Sequence, residues 1–555
     1  MKIDSLYPFF KLDNLNGFVI LAIGLFSVLT VIYSLGFMKG KPQLTRYYTC
    51  IILTALASLG AVLSNHLILL LVFWGFLGLT LYLLINTGDD KSSSVAKKTF
   101  IIVGGSDALM LLGIAIIYHL TGTFQMDQIK ISLATHYSLL ATFAYFCIAI
   151  ACFAKAGAMP FHSWIPDCAQ TAPVPVVAYL PASLDKLLGI YLLARLSLDL
   201  FTLDGLTGGV LMLIGAFTII AAVMMALVQH DMKRLLGYHA VSQVGYMVLG
   251  IGTGNPLGIA GGIFHMLNNA VYKSCLFLNS GNVEYRAKTT ELDRLGGLAR
   301  LMPITYVSCL LASLSISGVP PFNGFISKWM VYQGLIQNVA SHKSQVTSIV
   351  CLVAAMFGSG LTLASFMKVI HAVFLGQRAS GSTGQRVSEV NWTMWFPPAI
   401  LAVICVVFGI FANQLPLKYF ILPAVGEVTF IGTWYAGLAT LLIIIGLAAG
   451  AIIFISPGLR PALREDKAFT GAETVELKES VVSGTEFYNT VQEYGILKAI
   501  YKKAEAGAFD IYEQGKNAVL GIGQFFQYLH NGVLPTYLVW TLLGMIGLFF
   551  VFFMT

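Results

Sequence analysis

The chain is poor in charge. Of its 555 residues only 11% are Asp, Glu, Lys or Arg and 57% are hydrophobic, whereas ordinary soluble domains are about a quarter charged. That excludes a soluble globular protein and requires a polytopic membrane protein. The formal net charge of +7 is not a nucleic-acid signal, because the basic residues collect in short loops between apolar runs. No C-x-x-C pair occurs among the cysteines at 50, 147, 152, 168, 275, 309, 351 and 405, which argues against an iron–sulfur cluster and a disulfide framework. Cys147 and Cys152 read as lipid- or core-facing filler. No residue set suits flavin, haem or quinone, so no cofactor or metal site is expected and the chain carries no redox centre of its own. No cleavable signal peptide is expected either: the first apolar run begins near Gly17 after a polar, aromatic start, and no small-residue cleavage site follows it.

What is present is a series of long apolar runs. Stretches of about 17 to 25 residues predict fourteen membrane spans, near 17–38, 47–63, 66–86, 99–119, 138–158, 174–198, 205–229, 235–253, 256–282, 303–338, 346–377, 394–413, 432–456 and 533–553. The tenth is too long for one straight helix and holds Gly318, Pro320 and Pro321 at its middle, so it reads as two half-helices around a break. Pro160-Phe161-His162-Ser163-Trp164-Ile165 is echoed by Pro321-Phe322-Asn323-Gly324-Phe325-Ile326, 161 residues downstream. Paired interrupted helices in corresponding halves point to an inverted-repeat transporter with its functional groups near the midplane.

Loop charge predicts the orientation. Lys39, Lys41, Arg46, Lys91, Lys97, Lys98, Lys233, Arg234, Arg286, Lys288, Arg294, Arg300, Arg378 and Arg386 fall on one side, and only Lys2, Lys11, Lys130, Lys343 and Lys418 on the other. By the positive-inside rule both termini lie outside the cytoplasm. Residues 457–532 are richer in charge (Arg464, Glu465, Asp466, Lys478, Glu479, Lys502, Lys503, Glu505) and in aromatics (Phe487, Tyr488, Tyr494, Tyr501, Phe509, Tyr512). From about 485 to 530 they predict an amphipathic helix lying along the cytoplasmic face, about 65–70 Å long if continuous, with Gly515, Gly521 and Gly523 as places for an interruption. A solvated linker is the alternative reading. The expected organisation is an N-terminal helix (1–46), a first repeat (47–200), a second repeat (201–377), two further spans (378–456), the lateral helix (457–532) and a terminal anchor (533–555).

Four lysines stand deep in these runs: Lys155, Lys186, Lys273 and Lys328. A charge at bilayer depth costs from about 2.5 to well over 10 kcal/mol, depending on the scale. Such residues mark ion pathways. Lys155 lies just before the break at Pro160, and Lys328 follows the second break. Lys186 is mid-span beside Asp185, but adjacent helical residues point about 100° apart, so the two need not pair. His265, Asn269 and Lys273 recur at i, i+4 and i+8 on one helix face, a spacing suited to a proton wire. Asp107 is one of very few carboxylates at depth. Lys368 and His371, nearer the end of their span, are secondary candidates. For Lys368 snorkelling to the interface is the simpler reading, and for the lone His119 a structural role is.

The runs AKAGAMPFHSWIPD, HDMKRLLGYHAVSQVGYMVLGIG, FHMLNNAVYKSCLFLNSGNV and GVPPFNGFISK resemble the proton-conducting antiporter-like membrane subunits. That family includes distal subunits of respiratory complex I, energy-converting hydrogenases and Mrp-type cation/proton antiporters. The resemblance covers about residues 12–455, and the closing HNGVLPTYLVWTLLG is similar to the end of the distal, L-type members. It implies an all-α fold of two inverted five-helix repeats, each with a broken helix, around a central polar axis. It also implies that Lys155, Lys186, Lys273 with His265, and Lys328 occupy the key positions, and that Asp107 matches an L-type carboxylate.

Two departures accompany it. The chain starts where the third helix of an L-type member would, so two N-terminal helices are expected to be absent. The family's Trp-Glu is here Trp74-Gly75, which removes the acid expected to hold Lys155 charged and leaves Asp107 or a partner subunit to replace it. Together these features predict a proton-translocating subunit, with Na⁺ as a second candidate ion, in a prokaryotic cytoplasmic (inner) membrane. Its expected partners are other antiporter-like subunits and a redox module, in an energy-converting hydrogenase or a ferredoxin-, formate- or quinone-linked complex. The rival expectations are an Mrp-type antiporter or inorganic-carbon uptake subunit without redox coupling, and a non-pumping structural homologue.

Overall fold

A computed structural model describes residues 9–133, 138–341, 345–376, 388–432, 434–455, 485 and 488–554. Lys2, Lys343, Arg378, Arg386, Arg464, Glu465, Asp466, Lys478, Glu479 and Phe487 lie outside them. The chain forms two compact units, Met1–Tyr494 and Gly495–Thr555.

The first unit is a bundle of α-helices: α1 (Asn14–Phe37), α2 (Leu44–Leu63), α3 (Leu67–Ile85), α4 (Ser92–Thr121), α5 (Ser138–Ala156), α6 (Trp164–Thr171), α7 (Val174–Tyr179), α8 (Asp185–Arg195), α9 (Gly205–Leu227), α10 (Met232–Gly252), α11 (Pro256–Ala287), α12 (Pro303–Ser317), α13 (Asn323–Ala340), α14 (Gln345–Ile370), α15 (Trp392–Ile410), α16 (Leu422–Val425), α17 (Ala436–Ile455) and α18 (Asn489–Glu493). A π-helical turn, Leu180–Leu184, joins α7 to α8 into one buried span. The second unit holds α19 (Gly495–Glu505), α20 (Ile511–Leu529) and α21 (Leu534–Met554). Helix coincides with every one of the predicted apolar spans. The molecule is a multi-pass, all-α membrane protein, its only described sheet a two-stranded pairing of Ile131–Ser132 with Phe201–Thr202.

Side-chain caps fix several helix starts. Asp13 caps α1 in a reciprocal box with Asn16, Asp204 caps α9, Asp231 caps α10, and Asn255 caps α11 ahead of Pro256. The connections sort into two faces. Asp231 bridges Glu291, joining the α9–α10 and α11–α12 turns on one face; Phe10 bridges Ser64 and His66 bridges Gln125 on the other.

The core lies around α10 and α11, whose side chains are buried along nearly their whole length. These are the least apolar of the long helices because protein, not lipid, surrounds them, so they can carry polar groups. Helix α9 packs against α10 through glycine: a Cβ on Gly245 would lie 2.5 Å from the Gly215 carbonyl oxygen.

The amphipathic stretch of the second unit is not one continuous helix. It is interrupted at 506–510, where Gly507 takes φ +75° and Asp510 caps α20. Gly515, Gly521 and Gly523, expected as the interruptions, lie inside α20. A Gly in a helix costs about 1 kcal/mol, which the flanking helix formers absorb. A positive-φ turn followed by an Asp cap stops a helix outright.

Candidate functional site

Helix α5 ends at Ala156 because Gly157 turns to φ +85° and the chain passes through Pro160 before α6 restarts at Trp164. A helix end leaves its last carbonyls without intrahelical donors. Two side chains take them: the Trp164 indole donates to the Ala154 carbonyl at 3.0 Å, and the Lys186 ammonium donates to the Ala156 carbonyl at 3.1 Å. Lys186 therefore reaches from α8 to tie off the first break.

Lys155 is placed differently. It is fully buried, its Nζ 4.7 Å from the centre of the Trp74 ring and 3.9 Å from Asp185 Oδ1. Among the described residues no atom hydrogen-bonds to Lys155 Nζ, nor to Asp185 Oδ2 or Asp107 Oδ1. Asp107, on α4, is the second carboxylate whose charge acts on this lysine. Asp185 and Lys186 thus serve different neighbours, as their angular offset on α8 dictates. Gly75 is exposed, and a Cβ there would meet nothing within 4 Å. Position 75, expected from the family to supply the acid, opens into empty space at Cβ, and Asp185 on α8 stands beside the amine.

At the second break Gly318 takes φ +79° and ends α12. Here the lysine on the following half-helix closes the gap itself. Lys328 Nζ donates to the Ile316 carbonyl at 2.8 Å and to Ser359 Oγ at 3.0 Å, and lies 4.7 Å from the Tyr246 ring centre. Ser359 in turn donates to the Ser317 carbonyl at 2.9 Å. The loop is pinned further by Asn323, which receives a bond from Ser315 and donates to Asn268 Oδ1 at 3.0 Å.

Between the breaks runs the polar face of α11. His265 contacts Ser327 Oγ at 2.9 Å through Nδ1, and Gln243 Oε1 and the Tyr272 hydroxyl at 3.2 Å each through Nε2. Lys273 Nζ donates to the Leu236 carbonyl at 3.0 Å. Asn269, between them, is fully buried with neither amide atom bonded to a described residue. His239 on α10 joins this row without having been among the residues expected from the sequence. It is fully buried, with Nε2 2.7 Å from Ser365 Oγ and Nδ1 without a partner among the described residues. A signal for it exists, because His239, Gln243 and Tyr246 stand at i, i+4 and i+7 on one face of α10.

These ionisable groups form one unbroken electrostatic series. Asp107 acts on Lys155, Lys155 on Asp185, Asp185 on Lys186, and Lys186 on Lys273. Lys273 and Lys328 both act on His239, and Lys328 acts on His265. Buried polar atoms without protein partners recur along it, and a buried polar site with several such atoms is a place for water. Chemically the row is a ladder of ionisable side chains.

Three other residues stand apart from the row. Lys368 donates to the Leu227 and Gln229 carbonyls at 2.9 and 2.8 Å, tying off the end of α9 rather than snorkelling. His371 and His119 are exposed.

The family model described as "NADH:quinone oxidoreductase/Mrp antiporter, TM" matches residues 64–362, more than half of the chain. The chain belongs to this family. The stretch matched to this NADH:quinone oxidoreductase/Mrp antiporter family contains the whole series from Asp107 to Lys328. The A1 subunit of an Na(+)/H(+) antiporter of Staphylococcus haemolyticus is 34% identical over 73% of this chain, and an Na(+)/H(+) antiporter subunit of Alkalihalophilus pseudofirmus is 30% identical over 88%. The chain spans only 52% and 64% of those two relatives. Among solved structures, a chain of the membrane-bound sulfane sulfur reductase, an archaeal respiratory membrane complex, shares the fold with TM-score 0.79 at 23% identity, over 98% of this chain and 89% of that one. A chain of the Mrp complex from Dietzia sp. DQ12-45-1b shares it with TM-score 0.66 at 22% identity, over 75% and 84%.

Proposed function

We propose that this chain is an ion-translocating, antiporter-like subunit of a multisubunit complex in a prokaryotic cytoplasmic membrane, and that it moves protons along the buried row from Asp107 to Lys328. The observation that carries the reading is the continuity of that row: eight ionisable side chains, each acting electrostatically on another and seven of them fully buried. Four lysines at membrane depth are too costly to hold as packing. Energy enters from redox chemistry performed by a neighbouring module. The shared fold of a respiratory complex chain along almost the full length of this one supports that placement.

A second reading, a cation/proton antiporter without redox coupling, is favoured by the sequence relatives, which are named as Na(+)/H(+) antiporter subunits. One experiment separates these readings and a third, in which the chain only braces its neighbours. Vesicles carrying the assembled complex are monitored with a pH-sensitive dye. The proposed function requires Lys155→Ala and Lys328→Ala each to abolish proton movement driven by the complex's electron donor. Full movement in both variants means a brace. Proton movement driven by a Na⁺ gradient with no donor, in complexes that co-purify with no redox subunit, selects the uncoupled antiporter.

A further inference from the structure

The buried row has a side branch that reaches the face of the α9–α10 and α11–α12 turns. From His239, the Ser365 hydroxyl at 2.7 Å is the first step onto α14. Ser365 and Lys368 lie at i and i+3, on one face of that helix and about 5–6 Å apart at Cβ, and both are buried. Lys368 is acted on by the carboxylate of Asp293, which sits 2.8 Å from His230 Nδ1. Asp293 and His230 are each nearly half exposed, at 46% and 45% of their side chains. The path thus runs from a solvent-facing His–Asp pair, through a lysine and a hydroxyl, to the least accounted-for histidine of the row. Two residues just ahead of α18 hold its outer end. Thr485 donates to Asp293 Oδ1, and the Tyr488 ring lies 5.8 Å from Lys368 Nζ while its hydroxyl donates to the Ala364 carbonyl at 3.0 Å.

We propose that His230, Asp293, Lys368 and Ser365 form a proton entry route that loads the row at His239, between Lys273 and Lys328. The steps balance as simple transfers. The Asp293 carboxylate or the His230 ring takes a proton from water. The free-amine form of Lys368 accepts it after leaving a carbonyl of the α9 end. Ser365 takes a proton on its oxygen as it gives its own to His239 Nε2, and His239 releases one from Nδ1 toward Lys273 or Lys328. This step requires the four-carbon stem of Lys368 to swing its amine from the α9 carbonyls toward Ser365, one turn earlier on α14. Asp293 stays ionised at neutral pH: burial works against this, but the Thr485 hydroxyl, His230 and the Lys368 charge together hold its carboxyl below the usual range. An ionised carboxylate at the mouth collects protons from solvent.

This inference rests on the proposed function, and its test keeps the two apart. The assembled complex is assayed in vesicles with the α9–α10 face outward, in weakly buffered medium. Lys155→Ala serves as the control for the function itself, since a variant that still transports fully overturns the reading on which the route depends. Given a dead Lys155→Ala, the route requires Asp293→Asn to slow proton uptake by about a hundredfold or more, in the range that one positioned acid–base group supplies. Asp293→Glu should restore most of the rate, and added formate should accelerate Asp293→Asn but not the wild type. A wild-type rate in Asp293→Asn overturns the route. So does a slow Asp293→Asn that neither formate nor the glutamate variant improves, because that is a structural lesion. His239→Gln tests the inner end: it must slow uptake in a complex of normal abundance, and unaltered uptake there also overturns the route.

Discussion

Replacing Asp185 with Asn isolates the charge that faces Lys155 while keeping volume and shape. The two groups are 3.9 Å apart and both fully buried. At an effective dielectric near 20, unit charges at that separation attract by about 4 kcal/mol. Asp107 still acts on the lysine from α4, so a net loss of about 2–4 kcal/mol is reasonable for the step that places a proton on Lys155. At about 1.4 kcal/mol per factor of ten, transport should slow roughly 30- to 700-fold. The assay is proton movement in vesicles carrying the assembled complex, normalised to the amount of complex. The double variant Asp185→Asn/Gly75→Glu should be no faster, because a side chain at position 75 leaves α3 into open space. If Asp185→Asn transports at more than half the wild-type rate while Lys155→Ala is inactive, the pairing has no functional weight. If the added glutamate restores the rate, position 75 reaches the lysine in the assembled complex, and the inference from its open surroundings is refuted.

Further outcomes follow from other contacts. Lys328→Ala leaves the Ile316 carbonyl and the Ser359 hydroxyl without their lysine donor or partner, so besides abolishing transport it should destabilise the detergent-solubilised protein by about 1–3 kcal/mol, read from thermal unfolding. Gly245→Leu drives a side chain into the Gly215 backbone and should cost about 1–3 kcal/mol or more, whereas Gly75→Leu, which meets open space, should fall within about 0.5 kcal/mol of wild type. For Asp13, burial works to raise the carboxyl, but the Arg195 bond and charge and the Asn16 and Leu15 amides outweigh it and hold the carboxyl below its ordinary value of 3.8. A depressed carboxylate stabilises the fold above its unfolded-state value and loses that contribution as pH falls through the folded value. Acid unfolding scans should therefore show an extra loss of stability below about pH 4 that Asp13→Asn lacks.

Much of this architecture is legible in the sequence. Apolar runs place the spans because a lipid environment demands about 20 apolar residues per crossing, and proline beside glycine places both breaks. The single-helix row of His265, Asn269 and Lys273 follows from helical spacing alone. Spacing gives the face of a helix but not which helix lies opposite. That is why the chain shows Asp185 beside Lys186 and hides its place beside Lys155. His239 escapes notice because its partner, Ser365, is 126 residues away. The interruption in the amphipathic stretch falls elsewhere than at the three expected glycines for a related reason: glycines within a helix-forming context are weaker signals than one glycine followed closely by an Asp cap.

The two breaks also use their lysines in different ways, and this bears on direction. At the first, Lys186 from the next helix satisfies the freed carbonyl, so Lys155 is left with a carboxylate beside it and no hydrogen bond from the described residues. At the second, Lys328 satisfies the freed carbonyl itself and is bonded to Ser359 as well, and the carbonyl and hydroxyl that surround it carry no full negative charge. A proton arriving at Lys155 gains a counter-charge. One arriving at Lys328 gains only dipoles. A cation at the Asp107–Lys155–Asp185 end of the row thus stands beside two carboxylates, and one at Lys328 beside none. If the row translocates protons as proposed, that difference must be reversed once per cycle. Lys186 and Lys273 lie between the two ends, with the charge of Lys186 acting on Lys273, so the proposed function makes them the groups whose single-charge movement would reverse it.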